Sequence, residues 1–299
     1  MNLMPVKTVS SSGYWVDAYF MKMTNLVLSG KLLSVAVLVA GALSVGPSAQ
    51  AAPKKVLVVT VTKGFRHSSI PTAEKVLGEL AKKSGAFEVD YVRTDEEMAQ
   101  KMTVASLKKY DGVIFANTTG DLPLPDKQGF LDWIKSGKAF IGMHSASDTF
   151  HPFPPYIEML GGEFKEHHAQ EVVDCINQDP KHPACRDLGP AFHLKDEIYL
   201  LKNFDRSTVH GLLALDKHPN DKTPGDYPIA WAKLYGKGRV FYTSLGHRED
   251  VWDPNTPESF NRENPKEVSE AYQKHILGGI KWALGLEKGD AKPQTAAKH

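Results

Sequence analysis

KKVLVVTVTKGFRHSSIPTAEKVLGELAKK, residues 54–83, is the stretch whose reading decides the architecture. Residues 56–61 form an almost unbroken aliphatic run, the composition of a strand covered on both faces. A polar loop ending in His67 follows. Pro71 then suits a first helical position, and Ala73, Val76, Leu77 and Leu80 lie at offsets of 0, 3, 4 and 7, one apolar stripe of a helix over 71–83. The unit is strand, loop, helix. FEVDYVRT (87–94) reads as the next strand, YDGVIFAN (110–117) as another, residues 126–136 as a helix with Phe130, Leu131 and Ile134 inward, and KAFIGMH (138–144) as a further strand. Strands alternating with amphipathic helices imply right-handed crossovers and a parallel sheet.

Farther from that opening, the pattern changes. Residues 150–226 are irregular and rich in Pro, His and Asp, with short strands expected at 197–201 and 211–215. Order returns in PIAWAKLYGKGRVFYTSLGH (228–247), a hairpin turning at Gly236-Lys237-Gly238 and ending in a strand over 240–244. Val268, Tyr272, Ile276, Ile280 and Leu284 mark a terminal helix, and residues 288–299 a polar tail. The fold class expected is α/β, with a mainly parallel central sheet and an irregular insertion, in one domain over 52–287.

The first 51 residues read as an export signal. Lys22 and Lys31 precede a 14-residue apolar run over 32–45, and Ala49-Gln50-Ala51 supplies the small-residue cleavage site. The expected start is Met21 or Met23, and the expected location is secreted and periplasmic. The run is short for a membrane span, so no stable anchor is expected after cleavage. Removing residues 1–51 takes three Lys and one Asp, leaving 33 basic and 34 acidic residues. That near-neutral balance excludes the basic footprint of a nucleic-acid binder. The expected partner is a neutral or weakly charged small molecule. In an exported chain Cys175 and Cys185, ten positions apart, are expected to form a local disulfide.

Ligands of open parallel sheets bind outside the carboxyl ends of the strands, and three histidines fall there: His67, His144 and His247. Asp148 follows His144 closely, and Glu163, Glu166, His167, His168 and Gln170 cluster in GGEFKEHHAQ. Imidazoles and carboxylates converging on one crevice suit either general acid–base catalysis near neutral pH or a divalent metal such as Zn²⁺ held by neutral imidazoles. The catalytic candidates are His67, His144, His247 and Asp148, and the metal candidates His67, His144, His167 and His247. No cofactor is required by the pattern. Ser145, His167 and Gln170 are expected against substrate, with Phe65 and Trp252 as aromatic faces for a sugar. GMHSA (142–146) has the place of a nucleophile elbow but centres on His, which disfavours acyl-enzyme chemistry. TKGFRHSS (62–69) lacks the glycines of a phosphate loop.

The segments KGFRHSS (63–69), GMHSASDTFH (142–151), GGEFKEHHAQ (161–170), DPKHP (179–183), KDEIYLL (195–201) and PIAWAKLYGKGRVFYTSLGHREDVW (228–252) resemble, in order, those of ThuA-like (trehalose utilisation) proteins. The resemblance implies a flavodoxin-like three-layer α/β/α fold of the class I glutamine amidotransferase superfamily and a place in disaccharide catabolism beside 3-keto sugars. His67, His144, Ser145, Asp148, His167, Gln170 and His247 match the family's recurring polar residues; Asp196, Glu197 and Tyr199 match motifs read as pocket wall or turn. His168 stands where the family usually has Pro, which leaves open which of His167 and His168 faces inward. His144 occupies the amidotransferase cysteine position, so glutamine hydrolysis is not inherited. The function implied is an exported carbohydrate-active enzyme, a hydrolase, lyase or isomerase of a glycoside or its 3-keto derivative. The alternatives are a non-catalytic sugar-binding protein and a metal-dependent hydrolase of another substrate class.

Overall fold

The computed structural model describes residues 52–294. The expected signal segment and the last five residues of the tail lie outside them. Eleven strands and seven α-helices follow in the order β1 (Lys54–Val59), α1 (Ile70–Ser84), β2 (Phe87–Val92), α2 (Asp95–Lys101), α3 (Val104–Leu107), β3 (Gly112–Ala116), α4 (Lys127–Lys135), β4 (Ala139–Met143), α5 (Pro154–Leu160), β5 (Glu163–His167), β6 (Glu171–Asn177), β7 (Ala191–Asp196), β8 (Tyr199–Lys202), β9 (His210–Lys217), β10 (Pro224–Tyr235), β11 (Gly238–Thr243), α6 (Glu249–Trp252) and α7 (Lys266–Ala283).

Alternation along β1 explains the layering. Val56 and Val58 join one core with Val76, Leu77 and Leu80 of α1 and Tyr272, Ile276 and Ile280 of α7. Leu57 and Val59 join a second core with Met98 of α2, Phe130, Leu131 and Ile134 of α4 and Tyr156 and Leu160 of α5. Successive side chains of a strand point to opposite faces, so one strand feeding two cores is a sheet sandwiched between helices. The nine-stranded sheet runs β2-β1-β3-β4-β11-β10-β9-β6-β7. Its first five strands are parallel, in the spatial order of flavodoxin-like folds, whose ligand crevice opens where the order reverses beside the first strand.

The remaining strands are antiparallel. The β10–β11 hairpin turns at Gly236-Lys237, Gly236 taking φ 60° as such two-residue turns require. The stretch expected to be irregular is more ordered than its composition suggests. It carries β5 to β9: β6, β7 and β9 extend the main sheet, while β5 and β8 pair as a separate two-stranded ribbon. Short strands such as EVVDCIN, with only Val173 and Cys175 fully buried, carry little alternation to read. The helix α2 was not anticipated either. Thr94 caps it by accepting from the Glu97 amide, and Glu97 reaches back to the Arg93 amide.

The expected disulfide is not formed. Cys175 and Cys185 are both free and buried. The register sets Ile176 opposite Ala214 and Asn177 opposite Leu213, whereas the Cys185 thiol donates to the Leu212 carbonyl at 3.6 Å. The Cys185 thiol is committed to a backbone carbonyl of β9 rather than to Cys175. Burial raises both thiol pKa values far above the ordinary range. The polar tail also has a seat: Lys292 and Gln294 bond to His210, Val209 and Gly211.

Candidate functional site

His67, His144 and His247 meet. His67 lies in the loop between β1 and α1, His144 directly after β4, and His247 four residues after β11. Because β3, β4 and β11 are parallel neighbours, their ends are side by side. His144 turns sharply out of β4 at φ 48°, a left-handed conformation uncommon for a side chain of this size. The Tyr242 hydroxyl holds that turn between the His144 carbonyl and the Ser147 hydroxyl, 2.8 Å from each. Gly246, at φ 113°, aims His247 inward. Its carbonyl accepts from Asn117 at 3.0 Å and Trp252 at 2.8 Å, and its amide donates to Asp196 at 2.7 Å.

The ring nitrogens converge on one point. His144 Nε2 is 3.2 Å from His67 Nε2 and 3.3 Å from His247 Nδ1. The insertion supplies a fourth group, Glu197, at the corner between β7 and β8. Its Oε2 lies 3.2 Å from His247 Nδ1 and 3.7 Å from His144 Nε2. These four ligand atoms are all within 4.8 Å of one another. The other oxygen, Oε1, is 3.2 Å from His167 Nδ1, so the acid links the buried histidines to a half-exposed one. On the far side of His144, Nδ1 donates to the Ser244 carbonyl at 2.8 Å. In the neutral ring that bond leaves Nε2 a bare lone pair aimed at the cluster.

Burial sets the protonation states. His67 is held down at about 4 by burial, with His247 adding to the effect. His144, fully buried, lies well below its ordinary value for the same reason, reinforced by both neighbouring imidazoles. Burial also opposes charge on His247, but Glu197 outweighs it and raises that group. Asp196, buried beneath, is pushed up to about 6 by desolvation despite accepting backbone amides. The site thus holds two neutral bases beside one imidazole–carboxylate pair.

The other expected residues divide. Ser145 sits with its hydroxyl 3.4 Å from His67 Nδ1. His167 faces the site through Glu197, whereas His168 packs beside His218; this answers which of the pair points inward. Phe65 stands edge-on to His67, ring centres 4.9 Å apart, and is 67% exposed at the rim. Three others make contacts away from the three histidines. The Asp148 carboxylate bonds His151 at 2.7 Å, in a separate pair that Glu163 completes, rather than the three histidines. Gln170 accepts from Arg248 at 2.7 Å. Trp252 is wholly buried, donating to Gly246, and offers no face to a sugar. Sequence reasoning had set Glu197 in the pocket wall without a chemical role; the KDEIYLL motif was the available signal. Two surface grooves of about 430 and 610 Å³ have no histidine of the trio among their lining residues. The histidine cluster is a tight polar niche.

The family described as trehalose utilisation (ThuA) matches residues 55–283. Among solved structures, a ThuA-like protein from Parabacteroides merdae aligns with a TM-score of 0.61 at 19% identity, covering 82% of this chain and 96% of its own. Another, from Bacteroides uniformis, aligns with a TM-score of 0.56 at 21% identity, covering 80% and 95%. These likenesses support the fold. No curated protein matches the chain.

Proposed function

Because the chain belongs to the ThuA family of trehalose utilisation, we propose that it is an exported enzyme acting on a disaccharide or glycoside, or on its 3-keto derivative, at the niche of His67, His144 and His247. One observation carries the reading: three histidines up to 180 positions apart, with Glu197 and His167, converge at the carboxyl ends of parallel strands beside an exposed phenyl ring. Phe65 offers an apolar face for a sugar ring. The bare Nε2 of His144 accepts from a sugar hydroxyl and so positions the ring, and His167, at the rim and tied to Glu197, is the group that moves a proton. In a 3-keto sugar the hydrogen beside the ketone is acidic. Its removal leaves the C–H electron pair as an enolate, and the leaving group at the next carbon then departs with the proton returned from the imidazolium. The leader, cleaved after Ala51, belongs to the same proposal.

The test incubates the purified chain with disaccharides and their 3-keto forms and reads products by mass spectrometry. His144→Asn is the informative variant, because Asn tolerates the left-handed backbone. Turnover should drop at least about 100-fold on losing a group that positions the sugar, with the circular dichroism unchanged. Undiminished turnover removes His144 from the mechanism. A sugar that raises Tm without any product would instead make the niche a binding site.

A further inference from the structure

We propose that His67 Nε2, His144 Nε2, His247 Nδ1 and the Glu197 carboxylate are the ligands of a resident divalent transition metal of the zinc class. The inference deepens the reading of the niche as the functional site, and rests on it.

The spacing is the first argument. Zinc–nitrogen bonds are about 2.0–2.1 Å and zinc–carboxylate bonds about 2.0–2.2 Å. Two ligands at a tetrahedral angle are therefore about 3.4 Å apart. Here the separations are 3.2 Å between His144 and His67, 3.3 Å between His144 and His247, 3.2 Å between His247 and Glu197, and 3.7 Å between His144 and Glu197. These four of the six edges lie near the tetrahedral value, and the two from His67 to His247 and to Glu197 are within 4.8 Å.

Donor chemistry is the second. The Nδ1–H of His144 is committed to the Ser244 carbonyl, so its Nε2 can only accept. Around that lone pair stand two further ring nitrogens and a carboxylate oxygen. A proton satisfies one pair of acceptors at a time; a cation at the centre satisfies all four. Three imidazoles also select against magnesium and calcium, which take oxygen ligands.

The surroundings are the third. Metal-binding imidazoles and carboxylates are oriented by bonds from their far sides. His144 has the Ser244 carbonyl, His67 has the Ser145 hydroxyl beside its Nδ1, and Glu197 has His167 on its second oxygen. Asp196 accepts from the amides of Gly246 and Arg248, gripping the loop on both sides of His247. His247 itself is 21% exposed, which leaves a side from which a sugar oxygen can become a fifth ligand. A cation there would polarise that oxygen's carbonyl.

The full chain, purified without a histidine tag and stripped with chelator, is titrated with Zn²⁺ by calorimetry and with Co²⁺ by visible absorption. One equivalent should bind, and cobalt should show the intense bands of four- or five-coordinate ions. Glu197→Gln and His144→Asn should each weaken binding by about 10- to 100-fold or more, while His193→Ala, an exposed residue paired with Asp174, should leave it unchanged. Sub-stoichiometric binding, octahedral cobalt spectra, or affinity indifferent to His144→Asn would overturn the inference. Turnover is followed in the same samples. Sugar processing by the metal-free chain would sink the metal and leave the proposed function standing. Stoichiometric metal without turnover of any sugar would do the reverse.

Discussion

Phe65 and Trp252 show how far a single side chain can be read from its neighbours in sequence. Both are aromatics in polar loops next to a strand-end histidine, and both were expected against a sugar. One is exposed at the rim; the other is sealed under the His247 loop, its indole nitrogen donating to Gly246. Nothing in the local sequence separates them, because the difference lies in where α6 packs. Their variants should differ accordingly. Phe65→Ala should raise KM by roughly 10-fold, the worth of about 1–1.5 kcal/mol of aromatic contact, and leave the denaturation midpoint unmoved. Trp252→Ala should cost about 3–5 kcal/mol of stability, seen by urea denaturation. An unchanged KM for Phe65→Ala would remove the ring from substrate binding. The three histidines were legible as a set rather than singly, since each follows an aliphatic run and all three fall at equivalent strand ends.

Elements were legible where a period was strong. β1, α1, β3, α4, β4, the β10–β11 hairpin and α7 follow from runs and stripes whose side chains fill the two cores. The helix α2 has a weaker apolar stripe, with Met98 its one fully buried residue, yet its start was written in Thr94 and Glu97, a reciprocal cap. Thr94→Ala should therefore cost about 1 kcal/mol, measurable as a lower urea midpoint; no change would mean the cap is idle. In the ribbon of β5 and β8, a strand over 197–201 was expected, close to β8, while β5 was obscured for a different reason. The ribbon's strands are short, pair with a register shift after Phe164 and belong to no continuous sheet, so alternation has little length in which to show. That ribbon presents His167, and the corner before it Glu197. Two of the five groups of the candidate site, Glu197 and His167, thus came from this weakly patterned region.

For the molecule as a whole, buried imidazoles remote from the niche add to the acid response of His67 and His144. Burial holds His182 at about 3 and His275 at about 4. Both bond the turn at Ala184, His182 accepting from its amide and His275 donating to its carbonyl. Asp179 and Asp290 partly offset the effect on His182, and His210 and His275 reinforce it. In the unfolded chain these rings titrate near 6.5. Below that pH the unfolded state binds more protons than the native one, so stability present at neutral pH is lost as pH falls toward 4. His151, raised by Asp148 and Glu163 against the pull of burial, contributes in the opposite sense. Thermal melts should give a Tm that declines steadily from pH 6.5 to 4. A flat profile across that window would show that the two rings are not buried neutral.

The position of β11 has a consequence for biogenesis. Among the described residues it is the last strand in chain order, yet it lies in the middle of the sheet, between β4 and β10. Until residues 238–243 arrive, a nascent or prematurely terminated chain presents two long unpaired edges where the finished molecule has its centre. Such edges recruit foreign strands. Truncation before this point should yield aggregates rather than a half-built protein, and the closing of the sheet is the same event that delivers His247 to its companions.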